Sequence, residues 1–287
     1  MPYNELNAKE AKVIDHKGTE PAFRGQYNNF YINGFYTCRK CSIPLYRSID
    51  KFRSNCGWPS FDDEIPGRVK RQQDVDGIRT EIVCCNCQGH LSHIFEGERY
   101  TDKNTRHCVN SISLKFLSTE QILSEYHQHE KTIDVVVVAG GCFWGVEYFF
   151  EQEPGVLATA PGYVGGDIDH PTYQQVCSGK TGHAEAVVII FDKRMTDTQK
   201  LYQLFFNIHD SSQANRQGPD IGDQYRSAIF TRHPEQTHIA QQVIAHYPKA
   251  TTQIAPLDKF WIAETEHHHY YRNRGTEPYC HFKRDEN

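Results

Sequence analysis

The chain has 287 residues, which predicts roughly two domains at about 150 residues each. Its formal net charge is −5 at pH 7, which argues against a nucleic-acid partner. The longest apolar run, 135–146, falls short of the roughly 20 residues that a membrane span needs, and the N-terminal sequence MPYNELNAKE lacks the apolar segment of a secretory signal. We therefore expect a cytoplasmic protein that has no membrane partner.

Residues 1–117 contain short apolar runs interrupted by Gly, Asn, Asp and Pro. Ile112, Leu114 and Phe116 alternate with polar residues, which is typical of a half-buried strand. This half is predicted to be mainly antiparallel β. Residues 118–133 are rich in helix formers, with Ser118 and Gln121 spaced as in a capping box, so we predict a helical linker there.

Residues 134–287 alternate between strand and helix patterns. Strands are predicted at 135–139, 186–191 and 227–230. Helices are predicted at 143–151, at the apolar face formed by Leu201, Leu204, Phe205 and Ile208, and from Pro234 onward. The alternation indicates an α/β (α+β) domain with a mixed sheet and helices. Two long segments, 161–184 and 209–225, are predicted to be functional loops.

Two pairs of cysteines have the spacing of metal ligands: Cys38 with Cys41, and Cys84 with Cys87. Four thiolates around Zn²⁺ form a closed tetrahedral site, so we predict a structural zinc in the first domain. Buried free thiols are the alternative, and a redox CxxC is disfavoured because neither pair lies in a βαβ pattern. Only the spacing favours Cys84 over its neighbour Cys85.

Cys142 follows two glycines at the junction of a predicted strand and helix. A thiol at a helix N-terminus meets the positive end of the helix dipole, which lowers the thiol pKa. The residue is therefore either a nucleophile or a cysteine packed under the helix. Cys280 lies close to the end of the chain, where it is either a second thiol that can reach a sulfenic acid or a free surface thiol.

Cys108 begins a predicted strand in the segment RHCVN. In an extended chain Arg106 shares a face with Cys108 while His107 points away, so Arg106 is the better partner for a thiolate. Cys56 lies in a turn-forming segment and is a candidate for the second thiol of this half.

Longer motifs resemble the peptide methionine sulfoxide reductases. The B-type enzymes are resembled by HKGTEPAFRGQY (16–27), CGWPSF (56–61), HLSHIF (90–95) and RHCVN (106–110), together with both CxxC pairs. The A-type enzymes are resembled by AGGCFWGVE (139–147), PGYVGG (161–166), HPTYQQVCSG (170–179), GHAEAV (182–187) and DIGDQYRS (220–227). The resemblance implies a B-type domain at 1–117, the linker at 118–133 and an A-type domain at 134–287.

In the first half the resemblance implies that Cys108 attacks the sulfoxide sulfur and that Cys56 resolves the sulfenic acid. The residues implied to shape and protonate this site are Trp58, His90, His93, Phe95, Arg106 and Asn110. Ser92 stands where the family usually has glycine, and we expect this change to have little effect.

In the second half the resemblance implies Cys142 as nucleophile and Cys280 as resolving thiol. Glu185 would protonate the sulfoxide oxygen, because a carboxyl beside aromatic rings keeps its proton when burial raises its pKa. Cys177 is expected only to pack. The implied substrate contacts are Phe143, Trp144, Tyr173, Asp220 and Tyr225.

A sulfoxide sulfur is chiral, and one enzyme serves each epimer. The resemblance implies that the first domain takes the R epimer and the second takes the S epimer. Each cycle would pass through a sulfenic acid and a disulfide that a thioredoxin-type dithiol reduces, with no organic cofactor. The alternatives are a thiol enzyme that reduces peroxide and a non-catalytic zinc-binding interaction protein. The run EHHH (266–269) could bind a metal, but three consecutive histidines on a helix point in three directions, so we interpret the run as a solvated face.

Overall fold

The chain forms two compact units that divide between Ile122 and Leu123. The computed structural model describes residues 3–125 and 132–284. Within these two ranges no helix is both long enough and apolar enough to cross a membrane.

The first unit is built from antiparallel sheets, as the sequence predicts. Helix α1, Ala8–Ile14, begins with a capping box between Asn7 and Glu10. One sheet has the strand order β2-β1-β9 and the other has the order β3-β4-β8-β7-β6-β5. The strands are β1 Gly34–Cys38, β2 Pro44–Arg47, β3 Lys51–Phe52, β4 Ser60–Phe61, β5 Val69–Gln73, β6 Thr80–Cys84, β7 His90–Glu96, β8 Thr105–Val109 and β9 Leu114–Ser118.

An aromatic core lies inside the first unit. Tyr46 and Phe61 stack with ring centroids 4.4 Å apart, and Tyr36 meets Phe61 edge-on at 5.1 Å. These three rings are fully buried, so their apolar area contributes strongly to the stability of this unit. Ile112, predicted to begin the last strand, lies instead in a 3₁₀ turn, and β9 begins at Leu114.

The second unit has a mixed sheet with helices, which confirms the predicted class. Its sheet has the strand order β16-β15-β10-β12-β11-β17; β15 and β16 are parallel, and the other neighbours are antiparallel. The elements from the unit boundary onward are α2 Thr119–Glu125, β10 Ile133–Gly140, α3 Phe143–Glu151, β11 Val156–Val164, α4 Tyr173–Cys177, β12 Ala184–Asp192, α5 Thr198–Ile208, β13 Arg216–Gln217, β14 Asp220–Ile221, β15 Ser227–Thr231, α6 Pro234–Ile244, β16 Gln253–Pro256, β17 Phe260–Ile262 and α7 Tyr270–Arg274.

The capping box predicted at the linker is present. The Gln121 N–H donates to Ser118 Oγ at 3.0 Å, and the Ser118 N–H donates to Gln121 Oε1 at 3.1 Å. Helix α2 follows and ends at Glu125. Positions 126–131 of the predicted linker lie outside the described residues, and Ile133 already belongs to β10.

The predicted loop 161–184 is wrong at its beginning, because β11 continues to Val164 and pairs with β12 and β17. The predicted loop also contains α4, and its last residue, Ala184, begins β12. Pro161 lacks an N–H, but its carbonyl accepts a hydrogen bond from the Ala263 N–H at 2.9 Å. Gly162 allows β17 to approach, since a Cβ there would lie 2.3 Å from the Trp261 carbonyl oxygen. The predicted loop 209–225 is also partly regular, because it contains the β13–β14 ribbon.

Candidate active sites

Two thiols meet in the first unit. Cys108 on β8 and Cys56 in the turn before β4 have their Sγ atoms 3.9 Å apart. The hydroxyls of Ser54 and Ser60 lie 3.1 and 3.4 Å from Cys56 Sγ. The hydrogen bond with Cys108 lowers the pKa of Cys56 to about 4, and the same bond raises the pKa of Cys108 together with burial. The pair therefore loses its first proton easily and holds the second.

Arg106 lies beside this pair, on the face that the sequence predicts. It acts to lower the pKa of Cys108. Its guanidinium stacks 4.4 Å from the ring of Phe95, its register partner on β7, and it binds both carboxylate oxygens of Glu98 at 2.7 and 3.0 Å. His107 points to the other face, where it contacts Tyr46 and is fully buried.

His90 and His93 lie on the neighbouring strand β7, with their ring centroids 5.8 Å apart. Residues three apart in a regular strand face opposite sides, but the pairing of β6 and β7 shifts register at this point. Ser92 takes φ 150°, a left-handed conformation that favours glycine. His93 is the register partner of Cys108 and binds Asp74.

His90 is held by its Nδ1, which lies 2.6 Å from Glu81 Oε1. Its Nε2 is buried and has no hydrogen-bond partner among the described residues. Burial lowers the pKa of His90, and Glu81 opposes this effect. The unpartnered nitrogen is therefore available for proton transfer.

Glu20 connects the remaining residues predicted for this site. The Trp58 Nε1–H donates to the Glu20 carbonyl oxygen at 3.0 Å, and the Glu20 N–H donates to Asn110 Oδ1 at 3.1 Å. Asn110 is fully buried and also donates to the Leu91 carbonyl oxygen at 3.1 Å. These bonds tie the indole and the amide to the backbone around the thiol pair.

The four cysteines of the two CxxC pairs converge on one point of the first unit, with their Sγ atoms all within 4.8 Å of one another. Cys38 and Cys87 are 3.6 Å apart, and Cys41 and Cys84 are 3.5 Å apart. A tetrahedral zinc with Zn–S bonds of about 2.3 Å requires similar sulfur separations. Cys85 is not in this group.

A second pair of thiols meets in the second unit. Cys142 is the N-cap residue of α3, and its Sγ lies within 4.8 Å of Cys280 Sγ and of an Asp220 carboxylate oxygen. Cys280 is buried, so it is not a free surface thiol. The predicted decrease in the pKa of Cys142 is wrong for the reduced protein. Its hydrogen bond with Cys280 and its burial raise the pKa, outweighing the helix terminus, while the pKa of Cys280 is lowered to about 6.

Glu185 on β12 lies under the N-terminus of α3 and is buried. The Phe143 N–H donates to its Oε2 at 3.2 Å, and its Oε1 has no hydrogen-bond partner among the described residues. Burial raises the pKa of Glu185 to about 8. The carboxyl group therefore keeps its proton near neutral pH, as expected for a carboxyl beside aromatic rings.

Aromatic rings surround the start of α3. The ring centroids of Phe143, Trp144 and Tyr173 lie 6.1 to 6.4 Å from one another. Asp220 lies at the same centre, with a carboxylate oxygen within 4.8 Å of Cys142 Sγ. Burial raises the pKa of Tyr225, and the nearby charges of Glu185, Cys177, Asp220 and Cys142 raise it further. Aromatic rings around a protonated carboxyl group can bind a ligand in which a small apolar group, held by the rings, is attached to a polar group that accepts a hydrogen bond from the carboxyl.

His267 and Glu264 belong to this aromatic group, although the sequence analysis assigned them no role. The Trp144 Nε1–H donates to His267 Nδ1 at 3.2 Å, and His267 is only 7% exposed. Glu264 accepts from the Tyr163 hydroxyl at 2.7 Å and from the Tyr173 N–H at 2.9 Å. The interpretation of the histidine run as a solvated face is wrong, because His267 is buried and His268 and His269 are partly buried. The run is also not on one helix, since a 3₁₀ turn ends at His267 and α7 begins only at Tyr270.

Cys177 differs from the other cysteines of the second unit. We expected it to pack in the interior, but it lies at the exposed end of α4. It does not belong to the group formed by Cys142, Asp220 and Cys280. Its side chain nevertheless hydrogen-bonds with that of Tyr173, so Cys177 lies outside the thiol pair but beside the aromatic rings.

The chain resembles known proteins over both units. Residues 134–287 match the family model described as peptide methionine sulfoxide reductase, and residues 6–118 match the SelR domain. The peptide methionine sulfoxide reductase MsrA of Pectobacterium carotovorum is 45% identical over 163 residues, which are 51% of this chain and 77% of the relative. The MsrA of Sulfolobus acidocaldarius is 42% identical over 153 residues, 52% of this chain and 87% of the relative.

A solved structure also resembles the second unit. Reduced Mxr1 from Saccharomyces cerevisiae aligns with a TM-score of 0.51 and 28% identity, covering 55% of this chain and 95% of Mxr1. The alignments and the paired thiols lead to the same assignment: the chain belongs to the peptide methionine sulfoxide reductase family and carries a SelR domain ahead of its reductase domain.

Proposed function

We propose that the chain reduces both epimers of methionine sulfoxide to methionine, free or in oxidised proteins, the R epimer in the first unit and the S epimer in the second. The observation that carries this proposal is the occurrence of a close thiol pair in each unit. The Sγ atoms are 3.9 Å apart for Cys56 and Cys108, and within 4.8 Å for Cys142 and Cys280. A nucleophile and a resolving thiol must meet in this way.

In the first unit Cys108 attacks the sulfoxide sulfur. The low pKa of Cys56 supplies the thiolate charge, which passes to Cys108 when a proton moves across the thiol pair. Sulfoxide oxygen leaves sulfur only if it is protonated. His90 and His93 are the candidate donors. The unpartnered Nε2 of His90 can donate only when the ring is protonated, a state that the Glu81 carboxylate at Nδ1 favours. Arg106 stabilises the thiolate, and Trp58, Phe95 and Asn110 shape the site.

In the second unit Cys142 attacks and Glu185 protonates the oxygen. The substrate methyl group lies among Phe143, Trp144 and Tyr173, with Asp220 and Tyr225 at the polar side. The oxygen atom moves from the substrate to the Cys142 sulfur, so methionine leaves and a sulfenic acid remains. A cage for a methyl group favours this substrate over a peroxide.

The resolving thiol then displaces the oxygen as water and forms a disulfide with the nucleophile. Exchange with a dithiol partner of the thioredoxin type returns both thiols and leaves the disulfide on the partner. We assign zinc to Cys38, Cys41, Cys84 and Cys87, where it would hold the first unit together and leave no coordination position for substrate. The cytoplasm, where thiols are kept reduced, is the compartment we propose.

Pure epimers and single substitutions test the assignment. With dithiothreitol as reductant, Cys108→Ser is expected to abolish reduction of the R epimer alone, and Cys142→Ser that of the S epimer alone. Cys177→Ser is the matched control, since this thiol lies outside both pairs, and it is expected to retain both activities. Loss of both activities from either nucleophile substitution contradicts the two-site proposal.

A further inference from the structure

The residue after the resolving thiol is a buried histidine. Cys280 Sγ lies 3.0 Å from His281 Nδ1, and His281 Nε2 lies 2.7 Å from the carbonyl oxygen of Gly140. Only 4% of Cys280 and 2% of His281 are exposed. A thiol, an imidazole and a backbone carbonyl are therefore connected by hydrogen bonds and shielded from water.

The carbonyl determines which imidazole nitrogen carries the proton. A carbonyl oxygen only accepts hydrogen bonds, so His281 Nε2 must be the donor to Gly140. In the neutral ring the other nitrogen, Nδ1, then holds the lone pair. This lone pair faces Cys280 Sγ and is placed to take the thiol proton.

The surface of α3 has room for this imidazole only because Gly145 has no side chain. A Cβ at Gly145 would lie 2.2 Å from His281 Nδ1, far inside van der Waals contact. A Cβ at Gly141, before the nucleophile, would meet Gln217 at 2.5 Å and His281 Cε1 at 3.4 Å. The helix that presents Cys142 thus also seats the histidine that contacts Cys280.

We propose that His281 is a catalytic residue of the resolution step, acting on Cys280 first as a general base and then as a general acid. This inference rests on the proposed function of the second unit. In the reduced protein the Cys142 thiol is the main cause of the low pKa of Cys280, and oxidation of Cys142 to the sulfenic acid removes that thiol. At this stage His281 Nδ1 takes the proton of Cys280, and the thiolate attacks the sulfur of the Cys142 sulfenic acid. The S–S bond forms as the S–O bond breaks, and the departing hydroxide takes the proton from His281 and leaves as water.

A glutamine in place of His281 distinguishes a role as a base from a role as a structural contact. His281→Gln keeps an N–H donor that can reach the Gly140 carbonyl but has no basic nitrogen at Cys280. The experiment mixes reduced enzyme with the pure S epimer in the absence of reductant, then follows methionine, the Cys142–Cys280 disulfide and sulfenic acid trapped by dimedone. We expect a burst of one methionine per site, disulfide formation slowed about 100-fold, and accumulation of the trapped sulfenic acid.

The slow step should recover as the pH rises, because Cys280 then ionises without a base, whereas a packing defect would not recover. Other titratable groups also lie near Cys280 and His281, but the wild-type protein and His281→Gln share them, so they do not account for a difference between the two pH profiles. They are Cys142, Glu185, Asp220, Tyr271, Tyr279 and, facing the imidazole, His209. Formation of the disulfide at the wild-type rate in His281→Gln overturns the proposal.

Two further variants complete the test. If His281→Gln gives no methionine burst, His281→Asn, which retains a polar atom near the Nδ1 position, must show the same slow resolution, and a normal rate overturns the proposal. In Cys280→Ser, Cys142 must form no disulfide with any other cysteine. If the sulfenic acid of that variant is resolved normally, the assignment of Cys280 as resolving thiol fails, and if the wild-type protein releases no methionine from the S epimer, the proposed function fails. If Cys280→Ser is blocked while the His281 variants are normal, only the inference fails.

Discussion

The backbone conformation of Ser92 predicts that replacing it by glycine gives a more stable protein than replacing it by alanine. It lies on β7, where the register with β6 shifts, and takes φ 150°. This region of backbone conformation is nearly restricted to glycine and costs other residues about 1–3 kcal/mol. Ser92→Ala and Ser92→Gly both remove the hydroxyl, whose contact with His93 Nδ1 is long at 3.4 Å. Only the glycine variant relieves the strain.

The two variants therefore differ by the strain and the entropy of glycine. Because glycine has more conformational freedom in the unfolded chain, it lowers the free energy of unfolding by about 0.5–1 kcal/mol relative to alanine. Subtracting this from the strain leaves the Ser92→Gly protein more stable than the Ser92→Ala protein by about 1 kcal/mol. At a regular strand position the order is reversed. Lys115, exposed on β9, provides the control, and there we expect the glycine variant to be the less stable by about 0.5–1 kcal/mol.

Hydrogen exchange followed by mass spectrometry is the suitable assay, because a chain of two units need not unfold in one transition. Peptides that cover β7 and β8 should exchange about five-fold more slowly in Ser92→Gly than in Ser92→Ala. If the Ser92→Ala protein exchanges more slowly than the Ser92→Gly protein, as we expect for Lys115→Ala relative to Lys115→Gly, the strain at Ser92 is refuted. The earlier expectation that serine has little effect here would then stand.

Three further outcomes follow from the sites. Replacing Glu185 by Gln should lower reduction of the S epimer by about 100-fold or more. The wild-type rate should fall as the pH rises through about 8, since the carboxyl then loses its proton, and initial rates of both proteins against pH check this. Zinc removal by a chelator, or Cys41→Ser, should abolish reduction of the R epimer and leave that of the S epimer, as measured with each epimer separately. Cys280→Ser should still release one methionine per site but lose turnover supported by thioredoxin, and sustained thioredoxin turnover would contradict the role of Cys280.

Local rules predicted much of the fold. The capping box at Ser118, the helix after Cys142 and the helix that begins at Pro234 each depend on residues within one or two turns of the chain, so the sequence pattern contains them. The CxxC pairs and the thiol motifs were equally local. The structure places the Sγ atoms of each pair close together, while the catalytic roles that the resemblance implies stay predictions.

Long-range contacts explain what the sequence pattern did not predict. Pro161 and Gly162 indicate a loop, and only the neighbouring strands β12 and β17 make this segment an interior strand. His267 reaches Trp144 across 123 positions of the chain. The pKa of Cys142 depends on a thiol 138 positions later, which outweighs the helix terminus next to it.

The short distance between thiols also limits damage. A cysteine sulfenic acid exposed to peroxide proceeds to sulfinic acid, which most cells do not reverse. In the proposed cycle, Cys56 Sγ is already 3.9 Å from Cys108, so the disulfide would form with little movement of the chain and the vulnerable acid would be short-lived. An enzyme of this kind can work while oxidants are abundant, because rapid disulfide formation protects its own cysteine from the oxidation that damages its substrates.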